Sequence, residues 1–215
     1  MSKIKAVIFD LDGTIANTLP LCIQAFRKSV EPLINRSLSD EEIIATFGPS
    51  EEGTIKILAP HNYNEGVKSY LHFYEKLHGM CPVAFAGVEE ILSTLKQKGV
   101  HISMVTGKGN YSTEISLKQF KLNHFFEIIE TGAPTGPRKV DGIKIVLEAL
   151  SSLNKEEIIY VGDAPSDIEA SRSVGISVIA AAWAETAEPE KLIPLKPDEL
   201  FYTIEDFKGW LYSRI

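Results

Sequence analysis

Cysteine is scarce in this sequence. Cys22 and Cys81 are its two examples, far apart and outside any CxxC pattern, so neither a dithiol redox motif nor a zinc knuckle is readable. Long apolar runs are missing as well. None approaches the ~20 residues that a membrane-spanning helix needs, and no apolar leader precedes the first strand-like segment, so the expectation is a soluble, cytoplasmic protein. Positive charge is in deficit: the net charge is −7, which argues against nucleic-acid partners and anionic membranes. The five histidines show no metal-ligand spacing and read as surface or helix-end residues. There is no internal repeat and no low-complexity tract. With 44% hydrophobic and 24% charged residues, disorder is excluded too.

What is present is a rhythm. Ile4–Phe9, His101–Val105, Ile158–Val161 and Ile176–Ala181 are short continuous apolar runs, the pattern of strands buried on both faces. Phe126–Ile129 is a weaker fifth. Between them, Val88, Ile91, Leu92 and Leu95 repeat at i, i+3, i+4, i+7, as do Ile143, Val146, Leu147 and Leu150. Alternating strands and helices of this kind predict an α/β fold with a doubly wound parallel sheet, Rossmann-like in its core. From Leu19 to Gly79 the rhythm stops. Helical patterns alone fill it, at Leu19–Leu33, Ser39–Phe47, Glu51–Leu58 and Tyr63–Leu77, so a small α-helical lobe inserted after the first strand is expected. The boundaries drawn are 1–16 and 83–215 for the core and 17–82 for the insert. Phe201–Ser213 reads as a last short strand and a helix docking Phe207, Trp210 and Leu211.

The first strand poses the chemical question. KAVIFDLDGT carries two carboxylates, Asp10 and Asp12, at the end of a core-grade apolar run. A buried, unpaired carboxylate costs several kcal/mol, so this strand end must face positive charge. Ligands in open α/β sheets sit beyond the carboxyl ends of the strands, and the other strands deliver Thr106, Gly107 and Lys108, then Arg138 and Lys139, then Asp163 and Asp167. Several carboxylates in one crevice require a cation. An oxygen-only donor set without His or Cys points to Mg²⁺. Thr106, Gly-rich backbone N–H groups and a lysine suit phosphate oxygens, and a strand-end carboxylate can serve as a nucleophile.

FDLDGT (Phe9–Thr14), MVTGK (Met104–Lys108), Lys139 and GDAPSD (Gly162–Asp167) resemble, in order, the four motifs of haloacid dehalogenase superfamily phosphohydrolases, phosphoglycolate-phosphatase-like in layout. The helical insert lies where that family places its cap domain. The resemblance implies Asp10 as the nucleophile and Asp12 as the general acid and base. It implies Mg²⁺ on Asp10, the backbone carbonyl of Asp12, and Asp163, with Asp167 in support. Thr106 and Gly107 would bind phosphoryl oxygens, and Lys139 would neutralise them. Two departures stand out. The third motif, often Lys-Pro, reads Arg138-Lys139-Val140, which leaves Arg138 and more distantly Lys144 as alternatives. Asn17 stands where relatives often have Asp, at a position facing the cap.

The implied activity is Mg²⁺-dependent hydrolysis of a small phosphate ester by a monomer or weak dimer. Alternatives are a phosphomutase of the β-phosphoglucomutase type and a non-catalytic, receiver-like Mg²⁺-binding module. Lys108 and Asn17 are further candidates for substrate contact. The insert's FGPSEEG loop (Phe47–Gly53) has two readings. Either it closes over the site and reads the leaving group, poorly suited to a second anion unless Arg27 or Lys56 reaches in, or Ser50 and the early Glu51 and Glu52 simply cap a helix. Cys22, Cys81 and the Tyr70, Phe73, Tyr74 set read as packing.

Overall fold

The computed structural model describes residues 3–215. Six strands form one parallel sheet: β1 (Ala6–Phe9), β2 (His101–Val105), β3 (Ile128–Glu130), β4 (Ile158–Gly162), β5 (Ser177–Ala181) and β6 (Glu199–Phe201). Their order is β3-β2-β1-β4-β5-β6, which puts β1 at the centre, paired with β2 and β4. The weak strand expected at Phe126–Ile129 forms two residues later, because Glu127 N–H bonds Ile102 and full pairing starts only at Ile128 opposite Ser103.

Successive strand residues feed opposite layers, as the pleat demands. Val7, Phe9, Ile102, Met104, Ile159 and Val161 enter one apolar core. Ala6, Ile8, Val105, Ile158 and Tyr160 enter the other. Helices α5 (Val88–Gln97) and α6 (Asn110–Phe120) cover the first face, joined by α10 (Ile204–Tyr212), which buries Phe207 and Leu211. On the second face lie α7 (Lys139–Ala149), α8 (Pro165–Val174) and the short α9 (Pro189–Leu192).

Four helices follow β1 before the chain returns to the sheet. They are α1 (Leu19–Ile34), α2 (Asp40–Ile44), α3 (Glu51–Leu58) and α4 (Tyr63–Leu77), the helical insert that the sequence leads one to expect. The Ser39 start signal is a capping box: Ser39 Oγ accepts from Glu42 N–H, and the Glu42 carboxylate accepts from Ser39 N–H. The predicted helix there is cut short at Ile44. Phe26, Val30, Ile43, Ile55, Tyr70 and Tyr74 fill the insert's interior, which is continuous with the first core. Phe26 packs on Tyr70 with ring centroids 4.5 Å apart. The i, i+4 spacing of Tyr70 and Tyr74 is thus a packing face. No helix among the described residues is long and apolar enough to cross a membrane.

One histidine departs from its expected place. His78 is buried beneath the insert, with Nδ1 3.1 Å from Cys81 O and Nε2 3.1 Å from Ser116 Oγ. Ser116 also meets Tyr74 Oη at 2.7 Å. A helix-end position that coincides with the insert–core junction becomes interior, and one sequence cannot show that junction.

Candidate active site

At the carboxyl end of the central strand, backbone pairing ends and a turn begins. Asp10 N–H bonds Val161 O at 2.9 Å, the last tie to the sheet, and Ile15 N–H bonds Leu11 O at 2.9 Å to close the turn. Gly13 sits at φ +75°, a conformation that costs glycine little. A Cβ there would lie 2.0 Å from an Asp163 carboxylate oxygen, so the turn can lie against Asp163 only with glycine. The strand thereby presents Asp10 and Asp12 toward one cavity of about 420 Å³.

Asp10 is buried, and its carboxylate accepts hydrogen bonds from Leu11 N–H at 2.7 Å and from the Lys139 ammonium at 2.6 Å. Burial dominates its electrostatics and pushes its pKa up to about 6, with Asp167 adding to the rise and Lys139 opposing it. Lys139 opens α7 and lies between Asp10 and Asp167. Burial disfavours its charge, but these two carboxylates more than compensate and raise its pKa. Asp163, just past β4, has its carboxyl pKa raised well above the usual range, first by burial and then by Asp10 and Asp167. Asp167 is fully buried in the first turn of α8, where it accepts from Ala164 N–H at 2.9 Å.

Carboxylate oxygens of Asp10, Asp163 and Asp167 lie within 4.8 Å of one another. Three carboxylates this close, with raised pKa values on two of them and one ammonium alongside, form a donor set that fits a hard divalent cation such as Mg²⁺.

Across the cavity floor from Lys139 stands a second buried lysine. The Lys108 ammonium is 3.3 Å from Asp12 Oδ1 and 3.3 Å from Glu51 Oε1, and it lies 4.4 Å from the centre of the Tyr74 ring. Thr18 Oγ donates to the same Asp12 carboxylate. Thr106 N–H bonds Glu130 O at 3.0 Å, which fixes the β2 end, and its hydroxyl accepts from Lys108 N–H at 3.3 Å. The loop after β3 presses on this turn: Gly132 N–H bonds Lys108 O at 2.7 Å. A Cβ on Gly132 would come within 1.9 Å of Gly107 O.

The structure thus gathers Asp10, Asp12, Thr106, Gly107, Lys108, Lys139 and Asp163 around one cavity, with Asp167 buried behind Lys139. Two sequence candidates do not line it. Arg138 turns back to Glu130 at 3.0 Å and Thr131 O at 2.9 Å. Asn17 accepts from Thr186 Oγ at 2.8 Å. Arg138 precedes the first helical residue and Lys139 is that residue, so the start of α7 aims only the lysine inward.

The capping explanation of FGPSEEG does not hold for Ser50. Its side chain makes no helix cap; its hydroxyl donates to Glu52 at 2.5 Å. Glu51 opens α3, and its carboxylate accepts from Gly109 N–H at 2.5 Å and Ser112 Oγ at 2.5 Å, both on the core. Arg27 pairs with Asp40 and bonds Leu38 O at 3.3 Å instead of reaching in, and Lys56 is exposed outside the lining. Thr18, Cys22 and Tyr74 were missed as site neighbours. Their one sequence signal is helical position in the elements that meet above the first strand.

Known proteins share the sequence and fold. A protein of Caldanaerobacter subterraneus with the provisional name pyrophosphatase PpaX is 34% identical over 206 residues, 95% of this chain and 91% of its own. Pyrophosphatase PpaX of Anoxybacillus flavithermus is 27% identical, over 95% of each chain. Among solved structures, a haloacid dehalogenase-like family hydrolase of Streptococcus pneumoniae superposes with a TM-score of 0.76 at 26% identity, covering 96% of this chain and 98% of its own. A predicted phosphoglycolate phosphatase of Haemophilus somnus shares the fold, with a TM-score of 0.75 at 21% identity over 96% and 97% of the two chains. Residues 7–181 match the haloacid dehalogenase-like hydrolase family, a span that runs from the first strand through β5. By that match and this fold, the chain belongs to the haloacid dehalogenase-like hydrolases.

Proposed function

We propose that this chain is a Mg²⁺-dependent phosphatase of small phosphomonoesters that works through an aspartyl-phosphate on Asp10. The observation that carries the reading is the placement of Asp10: a buried carboxylate, tied to Lys139 at 2.6 Å, facing a cavity that Asp12 also lines. A carboxylate oxygen of Asp10 forms a bond to phosphorus as the bond to the leaving oxygen breaks. Asp12, protonated, gives its proton to that oxygen. In the second half Asp12 takes a proton from water, whose oxygen bonds phosphorus as the Asp10–phosphorus bond breaks. One carboxyl group thus serves as acid and then base. Its partners suit this role: Thr18 and Lys108 orient Asp12, and its side chain keeps 32% of its surface exposed, which gives water and substrate access.

Thr106 and the Gly107 backbone would bind non-reacting phosphoryl oxygens, and Lys139 would neutralise them while holding Asp10 in line. Asp10, the Asp12 backbone carbonyl and Asp163 would hold the Mg²⁺, with Asp167 supporting. The bound cation would offset charge on the phosphoryl oxygens and allow the carboxylates to stay ionised together. The names of the relatives favour a second reading, in which pyrophosphate is the substrate; the same residues could perform it with phosphate as the leaving group. A phosphomutase differs only in the final acceptor of the phosphoryl group.

The test is inorganic phosphate release from a phosphomonoester panel and pyrophosphate, with Mg²⁺ and with chelator, beside Asp10→Asn. Mg²⁺-dependent release that Asp10→Asn abolishes, with a mass increment of one phosphoryl group on Asp10 in quenched enzyme, is expected. Release that survives Asp10→Asn in protein shown not to have deamidated overturns the nucleophile. Return of phosphate to a sugar hydroxyl in place of release makes it a mutase.

A further inference from the structure

Beyond the carboxylates, the cavity continues beneath the insert, where the group released from phosphorus must lie. Leu19, Cys22, Phe26, Ile44, Phe47 and Pro49 form much of that part of its wall. Ile44 and Phe47 are also exposed, apolar side chains open to solvent at the rim, a feature of ligand sites more than of ordinary surface. Burial pushes the Cys22 thiol up to about 12, so it adds no charge.

The charged groups of this chamber are few. Lys108 is its cation, and its side chain is 1% exposed. Its ammonium faces Asp12, Glu51 and the Cys22 sulfur, each at 3.3 Å, with the Tyr74 ring alongside. It donates to Asp12 and to the Cys22 sulfur, and the Glu51 carboxylate lies against it as an ion pair, so protein groups face the ammonium on every one of these sides. An incoming anion would have to displace Glu51, which is fastened independently by Gly109 N–H and Ser112 Oγ. It would also meet the Glu51 carboxylate already set against that one ammonium, with the exposed Glu188 near the entrance. Desolvating an anion without a partner is costly.

We propose that the leaving group of the substrate is an uncharged, largely apolar alcohol, and that the Glu51–Lys108 pair excludes a second phosphate or a carboxylate from the chamber. This rests on the phosphatase reading above and deepens it. Pyrophosphate, the substrate class named for the relatives, therefore falls among the poor substrates of this chain. Glu51 is the residue that makes the difference, since its carboxylate offsets the charge of the ammonium that faces this part of the cavity.

The experiment compares kcat/KM on wild-type enzyme with Mg²⁺ for matched small substrates: phenyl phosphate and an alkyl phosphate against pyrophosphate and phosphoglycolate. The uncharged leaving groups should be preferred by at least roughly 30-fold, within the range over which binding-pocket contacts discriminate between substrates. Glu51→Gln, which keeps the acceptor for Gly109 N–H, should narrow that ratio by about 10-fold, mostly through KM for the anionic substrates. The wild-type panel decides the matter even if the variant folds poorly, which thermal unfolding would reveal. Pyrophosphate or phosphoglycolate matching or exceeding the neutral esters overturns the inference and leaves the phosphatase reading standing. A preference unchanged in well-folded Glu51→Gln overturns the role of Glu51. Absence of Mg²⁺-dependent phosphate release from every substrate, with no phosphoryl mass on Asp10, overturns the phosphatase reading and the inference together.

Discussion

Two buried lysines flank the first strand's carboxylates, and they differ in where their partners come from. Lys139 bridges Asp10 and Asp167, both from the sheet-bearing core. Lys108 bridges Asp12 of the core and Glu51 of the insert. Each is held charged in a desolvated place by two carboxylates, and each has its pKa raised by them against the effect of burial. The first pair of contacts makes a rigid platform, since α7, α8 and β1 cannot separate without breaking a core. The second crosses a junction. A cation whose partners belong to two parts of the molecule ties them together, and it titrates the charge of whatever space lies between. In the function proposed above, Lys139 would serve the chemistry at phosphorus and Lys108 chiefly the fit of the leaving group.

That division can be broken by experiment. The largest effect is expected for Lys139→Met, which leaves Asp10, Asp163 and Asp167 without their ammonium. Activity should fall about 10³-fold through kcat, the scale of losing one preorganised charge stabiliser; Lys108→Met costing as much would erase the distinction.

Next comes pH. In chelator, Asp10 in the folded protein has its pKa at about 6 against an ordinary 3.8. The folded state therefore binds the proton more tightly than the unfolded chain. This contribution to stability is fully present below about pH 4 and is lost as pH rises through about 6. Thermal unfolding without metal should show a loss on the order of 3 kcal/mol from this group across that window. Added Mg²⁺ should raise Tm more at pH 7.5 than at pH 5. An equal rise at both would mean that the carboxylates are not where the cation acts.

Lys108→Met should cost about 2 kcal/mol of stability, since Glu51 loses its partner while Asp12 keeps some water. Glu51→Leu added to it should recover much of that cost if the two act as a pair, and a simple sum of the two losses would show that they do not. The smallest effect is assigned to His78, whose pKa is lowered chiefly by burial. A depressed histidine favours the folded state above its unfolded pKa of about 6.5 and gives that stability up as pH falls below it. Replacement with Asn should flatten the acid side of the Tm profile slightly, and an unchanged profile would place this sensitivity elsewhere.

The sheet and insert were legible because their signals are local. Continuous apolar runs become doubly covered strands, and 3.6-residue repeats become helices, whatever lies beyond them. Asp10, Asp12, Thr106, Lys139, Asp163 and Asp167 could be placed from the chain alone, since each sits at or just beyond a strand end or in the first turn of the following helix, and a parallel sheet puts all such ends on one edge. For the third-motif cation the sequence favoured Lys139 but left Arg138 and, more distantly, Lys144 open. The start of α7 separates them, with Arg138 turned to Glu130 and Lys139 to Asp10. The fates of Glu51, Lys108 and His78 were decided only by tertiary structure. Each depends on how the insert lies on the core, where residues such as Glu51 and Ser112, 61 positions apart, become neighbours. Periodicity fixes the face a side chain occupies within its own element; which element that face meets, and what charge waits there, depends on packing between segments distant in the chain.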